Sequence, residues 1–166
     1  GSGLVGSEMC IRDRAHTLRL QGKPIVVLST CSTNGFTTVL EPLCEIMTFM
    51  GGNVIASANA AQFPNQINNS KWINEVAEKI VNRIVEHADL PPQSNPFIEN
   101  VFINAKASMM QQVEFEKNSN KELGESKYWR ETGMIEFSRF KDYLAAKNKE
   151  VKKGNENQIS ATKRTF

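Results

Sequence analysis

Apolar positions along the chain fall into two short unbroken runs and four longer stretches of helical period. The first run, Ile25-Val26-Val27-Leu28 with Ser29-Thr30 after it, is β-branched and continuous rather than alternating. That pattern predicts a parallel strand over about 25–30, covered on both faces. Left at a sheet edge, such a strand would present an apolar ladder. A loop of small polar residues follows, Cys31 to Phe36. Val39, Leu43, Ile46, Met47 and Met50 then recur at helical spacing. Thr38 and Glu41 are spaced as a capping box, and Pro42 has to fall in or near the first turn. Gly51-Gly52 supplies a left-handed stop. Asn53 to Ala58 reads as the second strand, which completes a βαβ unit. Residues 59–69 read as a polar loop.

Three further helices are predicted. The first spans Ser70–Ala88, with Trp72, Ile73, Val76, Ala77, Ile80, Ile84 and Val85 as a stripe to be buried. Pro91-Pro92 ends it. The next opens with Asn95 as cap and Pro96 at its first position, and runs to about Glu116. Its apolar face is Phe97, Ile98, Val101, Phe102, Ala105 and Met109. Residues 118–133 read as irregular and polar, with Tyr128-Trp129 as an aromatic pair. The last helix is placed from Ser138 to about Lys152, carrying Phe140, Tyr143 and Leu144. Beyond Gly154 the polar tail, 154–166, is expected to be disordered.

Composition narrows the class without naming a chemistry. The 166 residues are 40% hydrophobic and 23% charged, which describes a globular chain. A net charge of +2 argues against a nucleic-acid footprint. No apolar run approaches the length of a membrane span, so no membrane partner is expected. Three cysteines without a CxxC exclude a disulfide framework and the usual zinc pairings, and no metal is expected. Residues 141–166 hold seven Lys or Arg against three Asp or Glu, read as a solvated helix face and tail.

The first fourteen residues stand apart. Leu4 to Arg14, LVGSEMCIRDR, has neither helical nor strand period. It resembles the in-frame translation of a transposase-type sequencing-library adapter. Residues 1–14 are therefore set aside as an artefactual or disordered leader. Cys10 goes with them, leaving Cys31 and Cys44. The expectation that follows is a chain which, from Ala15 onward, is the C-terminal portion of something longer.

Candidate chemistry concentrates in Ser29 to Phe36. In open α/β sheets, ligands bind beyond the carboxyl ends of strands. This loop brings hydroxyls, a thiol, an amide and a glycine to a helix start, where free N–H groups can hold an anion or the hydrogen-bonding edge of a planar cofactor. An ordinary βα connection has the same composition, and both readings stand. There is no GxGxxG and no GxxxxGK[ST]. Cys31 is read as a loop thiol in preference to a redox centre. His87 complements a helix C-terminus. Met47, Met50, Met109 and Met110 fill core, and Trp72 anchors its helix. Tyr128-Trp129 serves packing in preference to a partner subunit.

Three stretches carry a family resemblance. His16-Thr17-Leu18 and Lys23-Pro24-Ile25-Val26-Val27-Leu28-Ser29-Thr30-Cys31 resemble the region around the fourth strand of flavodoxin-like NAD(P)H-dependent FMN oxidoreductases. The likeness continues through the helix ending Met50-Gly51-Gly52-Asn53-Val54. Lys127-Tyr128-Trp129-Arg130-Glu131-Thr132-Gly133 is similar to a Tyr-Trp-basic-acidic-x-Gly motif near the C-terminus of some members. The resemblance spans roughly 16–137. It implies a partial flavodoxin-like α/β fold over 15–90, a helical C-terminal extension over 91–153, FMN as cofactor, NAD(P)H as co-substrate and an intact relative that is cytoplasmic and dimeric. By position, Thr30, Cys31, Ser32, Thr33, Asn34 and Gly35 would border the isoalloxazine ring; no catalytic residue is singled out. The family's phosphate-binding loop and the loop after its third strand have no counterpart from Ala15 onward. The implied activity is hydride transfer from NAD(P)H through flavin to an acceptor, with this chain alone inactive and a poor holder of FMN. Strand 25–28 is expected to have one bare side, leading to aggregation, strand exchange between copies or a loose monomer. Two rivals remain: a non-enzymatic α/β binding or interaction module, and a receiver-like domain, which wants an Asp at a strand end that neither strand has.

Overall fold

The computed structural model describes residues 17–33, 35–119 and 121–162, with 153–162 as backbone alone. The leader 1–14, His16, Asn34 and the last four residues of the tail lie outside the described residues. The protein is α/β and mostly helical. Strand β1, Pro24–Cys31, pairs in parallel with β2, Asn53–Ala61, in a two-stranded sheet. β2 therefore runs three residues further than the sequence pattern predicts. Gln62 and Phe63 extend the ladder by donating N–H to Cys31 and Ser32 carbonyls. The register passes from Ile25↔Val54 to Val26↔Ala56, so Ile55 is an extra residue in β2.

Between the strands runs helix α1, Glu41–Phe49, entered through a five-residue π turn, Phe36–Leu40. Gly35 is the N-cap, so Thr38 lies inside the turn and the expected Thr38–Glu41 box is not the start. The wide turn has a physical cause in Pro42. A proline offers no N–H and its ring crowds the carbonyl four residues back, here that of Thr38. Widening the turn, with Glu41 N–H on the Phe36 carbonyl, relieves that crowding. Gly51 ends the helix at φ +83 as predicted. A Cβ there would lie 2.9 Å from Leu18 Cβ, so the left-handed turn also admits Leu18.

Helix α2, Ser70–Ala88, starts with the Asn69 side chain accepting the Trp72 N–H. α2 covers the face of the sheet that carries Leu28, Thr30, Ala58 and Ala60. Its stripe is not buried as predicted: no residue of α2 is fully buried, and Val85 is 67% exposed. A two-stranded sheet is too narrow to cover a nineteen-residue helix.

The densest core lies elsewhere. Helix α3, Pro96–Ser119, is capped by Asn95 as predicted, its Oδ1 accepting the Ile98 N–H at 3.0 Å. Residues 124–131, expected to be irregular, form helix α4, Gly124–Glu131. A short 3₁₀ turn, Met134–Glu136, leads to helix α5, Phe140–Thr162. The helical backbone thus continues through the part of the tail expected to be disordered. No proline interrupts 141–162, and one glycine costs only about 1 kcal/mol in a helix. Leu18, Ile98, Phe102, Ala105, Met109, Trp129, Met134, Phe140, Tyr143 and Leu144 close into one buried cluster. Phe102 stacks on Trp129 at 5.1 Å between ring centres. The carboxylate of Glu99 on α3 accepts the N–H groups of Phe140 and Lys141, capping α5. Burial pushes the Tyr143 phenol up to about 12. Among the described residues no helix is long and apolar enough to cross a membrane.

Candidate functional site

The loop at the carboxyl end of β1 is where the sequence places its candidate chemistry. Parallel pairing brings the carboxyl ends of both strands together there, and register sets Ser29 directly beside Asn59. Ser29 Oγ donates to Asn59 Oδ1 at 2.7 Å. Asn59 Nδ2 donates to Cys31 Sγ at 3.2 Å, and the Gly35 N–H donates to the same sulfur at 3.0 Å. Cys31, last in β1, is thus held by its partner strand and by the first residue of the turn into α1.

Gly35 is required here by close approach. Its φ is −67, open to any residue. A Cβ, however, would lie 2.4 Å from Cys31 Cβ, 2.5 Å from Sγ and 2.6 Å from Asn59 Oδ1. The tight return keeps the thiol half-buried and fixes the direction in which the loop leaves the sheet. Thr30, Ser32 and Thr33 are exposed around it. Of the six positions singled out from the sequence, the structure therefore joins Cys31 and Gly35 in one cluster and leaves Thr30, Ser32 and Thr33 facing outward, while Asn34 lies outside the described residues.

Ser29 belongs to the candidate loop, whereas Asn59 is the member that the sequence pattern does not single out. The pattern places Asn59 first in a polar loop, because asparagine is disfavoured in strands, whereas in the structure it lies inside β2. No local signal marks it, since Ala60, Ala61 and Gln62 after it carry no strand preference.

The electrostatics of the loop are neutral. No Lys, Arg, Asp or Glu occurs from Ser29 to Phe36 or from Asn59 to Ser70. Hydroxyls and backbone groups can meet the neutral polar edge of a planar ring, whereas the loop itself brings no cation to a phosphate; Lys79 and Arg83 stand beside Asn59 along β2. Cys31 and Cys44 are both free thiols. Among the described residues no group of three or more His, Cys, Asp or Glu could hold a metal ion. No protein-family model matches the chain, and no curated protein sequence matches it.

Proposed function

We propose that this chain supplies the βαβ portion of a flavodoxin-like, FMN-dependent NAD(P)H oxidoreductase, with the Thr30–Gly35 loop bordering the flavin ring. The observation that supports this reading is the parallel β1–β2 pair with its polar loop at the carboxyl ends of both strands. FMN, when bound, supplies the acceptance of hydride from a nicotinamide and its transfer to an acceptor. The residues of this chain do something narrower. Thr30, Ser32 and Thr33 offer hydroxyls to a ring edge, and Asn59 positions the loop by holding Ser29 and Cys31. The neutral loop fits a ring and does not fit a phosphate. With no charge of its own, the loop adds little to phosphate binding, so FMN binding by this chain is expected to be weak.

Titration of the full chain with riboflavin and with FMN, followed by flavin fluorescence, tests the reading. Weak quenching of both is expected, with affinities within about threefold of each other because the phosphate adds little. Loss of that quenching in a Thr30→Ala, Ser32→Ala variant is expected too. Tight stoichiometric FMN binding with strong preference over riboflavin would contradict the neutral-loop argument. Quenching of neither flavin would select the competing reading, a non-enzymatic binding module. That reading is favoured by one observation, the inward turn of Asn59 and Cys31 onto each other.

A further inference from the structure

The outer edge of β2 borders a cleft of about 360 Å³ between the turn into α1 and helix α2. No residue of β1 lines it, and strands added beyond β1 would leave it unchanged. The backbone of β2 shows which groups face it. Gln62 donates its N–H to the Cys31 carbonyl and so turns toward β1. By the two-residue period of a strand, Ala61, Asn59 and Ser57 turn their N–H and C=O outward. Two contacts fit that alternation. Ala61 N–H donates to Gln66 Oε1 at 3.0 Å, and the Ala61 carbonyl accepts the Gln66 N–H. Beyond Ser57, the Ile55 carbonyl accepts from Arg83 Nε at 3.3 Å.

Gln66 and Arg83 thus close this edge at both ends and leave Ser57 and Asn59 between them. Among the described residues no group bonds the outward N–H and C=O of these two. Two open positions are too few for a partner strand, which usually runs to about five or six residues. They suit a small ligand, and the cleft has the size that small ligands fill. Phe36, 56% exposed, and Trp72 give it aromatic walls. Two cations enter from α2. Arg83 is held by the Ile55 carbonyl and by the Glu86 carboxylate at 2.6 Å, which neutralises it. Lys79 has no ion pair among the described residues, which leaves its ammonium for an anion. No acidic side chain lines the cleft to oppose that charge.

We propose that this cleft binds a small aromatic carboxylate, its ring against Phe36 and Trp72 and its carboxylate on Lys79 and an outward N–H of Ser57 or Asn59. The lining selects that class. Aromatic walls favour a planar apolar body, open N–H groups call for an acceptor, and the ammonium favours an acceptor that is charged. Inorganic phosphate meets the same donors but leaves the aromatic walls bare. The site goes beyond the flavin reading and uses none of the Thr30–Gly35 groups. It shares only Asn59, whose side chain is turned to Ser29 and Cys31 while its backbone faces the cleft.

Amide NMR of the full chain titrated with benzoate is the test, with benzamide, acetate and inorganic phosphate for comparison. Benzoate is expected to saturate and to move the Ser57 and Asn59 resonances most. Benzamide keeps the ring and loses the charge, whereas acetate keeps the charge and loses the ring. Each is expected to bind about tenfold more weakly than benzoate. Lys79 is exposed, and Lys79→Gln should weaken benzoate by about tenfold while leaving benzamide unchanged. The comparisons on the unmodified chain decide the matter if that variant fails to fold. Benzamide, acetate or phosphate binding as tightly as benzoate would each overturn the proposal. So would benzoate that fails to saturate, shifts confined to residues outside the cleft, or indifference to Lys79→Gln.

Discussion

Glu116, near the end of α3, gathers three donors from the segment that follows it. Ser126 Oγ, the Leu123 N–H and Arg130 Nη1 each reach its carboxylate at 2.5 Å. The side chain is 9% exposed. The Ser126 hydroxyl first, then the Leu123 N–H and Arg130, lower its pKa from 4.5 to about 2. A folded-state pKa below the unfolded one means stability that is complete above about 4.5 and is lost as pH falls toward about 2. Thermal melts of the protein and of Glu116→Gln should therefore differ most near neutrality, with the variant less stable. The two should converge as the pH drops through that window. A constant difference at all pH values would mean that the charge is not what holds α4. None of this was visible in the residue order, since Glu116 is one of many acidic side chains on a helix. Its role depends on the chain reversing after Ser119 to bring Leu123 and Ser126 back to it. Asn59 was hidden for the same reason: it matters through a strand partner thirty residues away.

At the scale of elements, periodicity identified every long helix and both strands. It could not rank them by burial. α2 and α3 carry stripes of similar length, yet α3 contributes Ile98, Phe102, Ala105 and Met109 to the interior and α2 contributes no fully buried residue. The difference lies in what each faces. α2 lies on a two-stranded sheet, whereas α3 is met by α4, α5 and Leu18. Truncation experiments should expose this contrast. Trp129→Ala removes a fully buried ring stacked on Phe102 and should cost about 3–5 kcal/mol in urea unfolding. Val85→Ala removes a largely exposed side chain and should change stability by no more than about 0.5 kcal/mol. Comparable losses from the two would show that α2 is covered in solution. α4 was not legible because its eight residues are mostly polar. Trp129 and Ser126 anchor it only once α3 is in place.

The molecule as a whole is unevenly held. Leu18 inserts into the helical cluster, and Gly22 exchanges its carbonyl with Gln93 N–H while its N–H reaches the Gly51 carbonyl. These contacts join the sheet to the helical part at the start of β1 and leave the far end of α2 lightly covered. Hydrogen exchange should follow that gradient. Amides of α3 around Phe102 to Met109 and of α5 around Tyr143 should exchange slowest. Those of α2 from Val81 to Ala88 should exchange much faster. Uniform protection across both would show a cooperative unit that the packing does not explain.

From the residue order alone come the βαβ unit, the cap at Asn95, the stop at Gly51 and the neutrality of the loop after β1. These are decided within a few residues, by period, by the φ angles a residue tolerates and by the charges it carries. Only the tertiary structure decided that the main core is helical and that Asn59 holds Ser29 and Cys31. Each of these is a meeting of residues far apart in the chain, and burial depends on which surfaces meet rather than on the pattern within either.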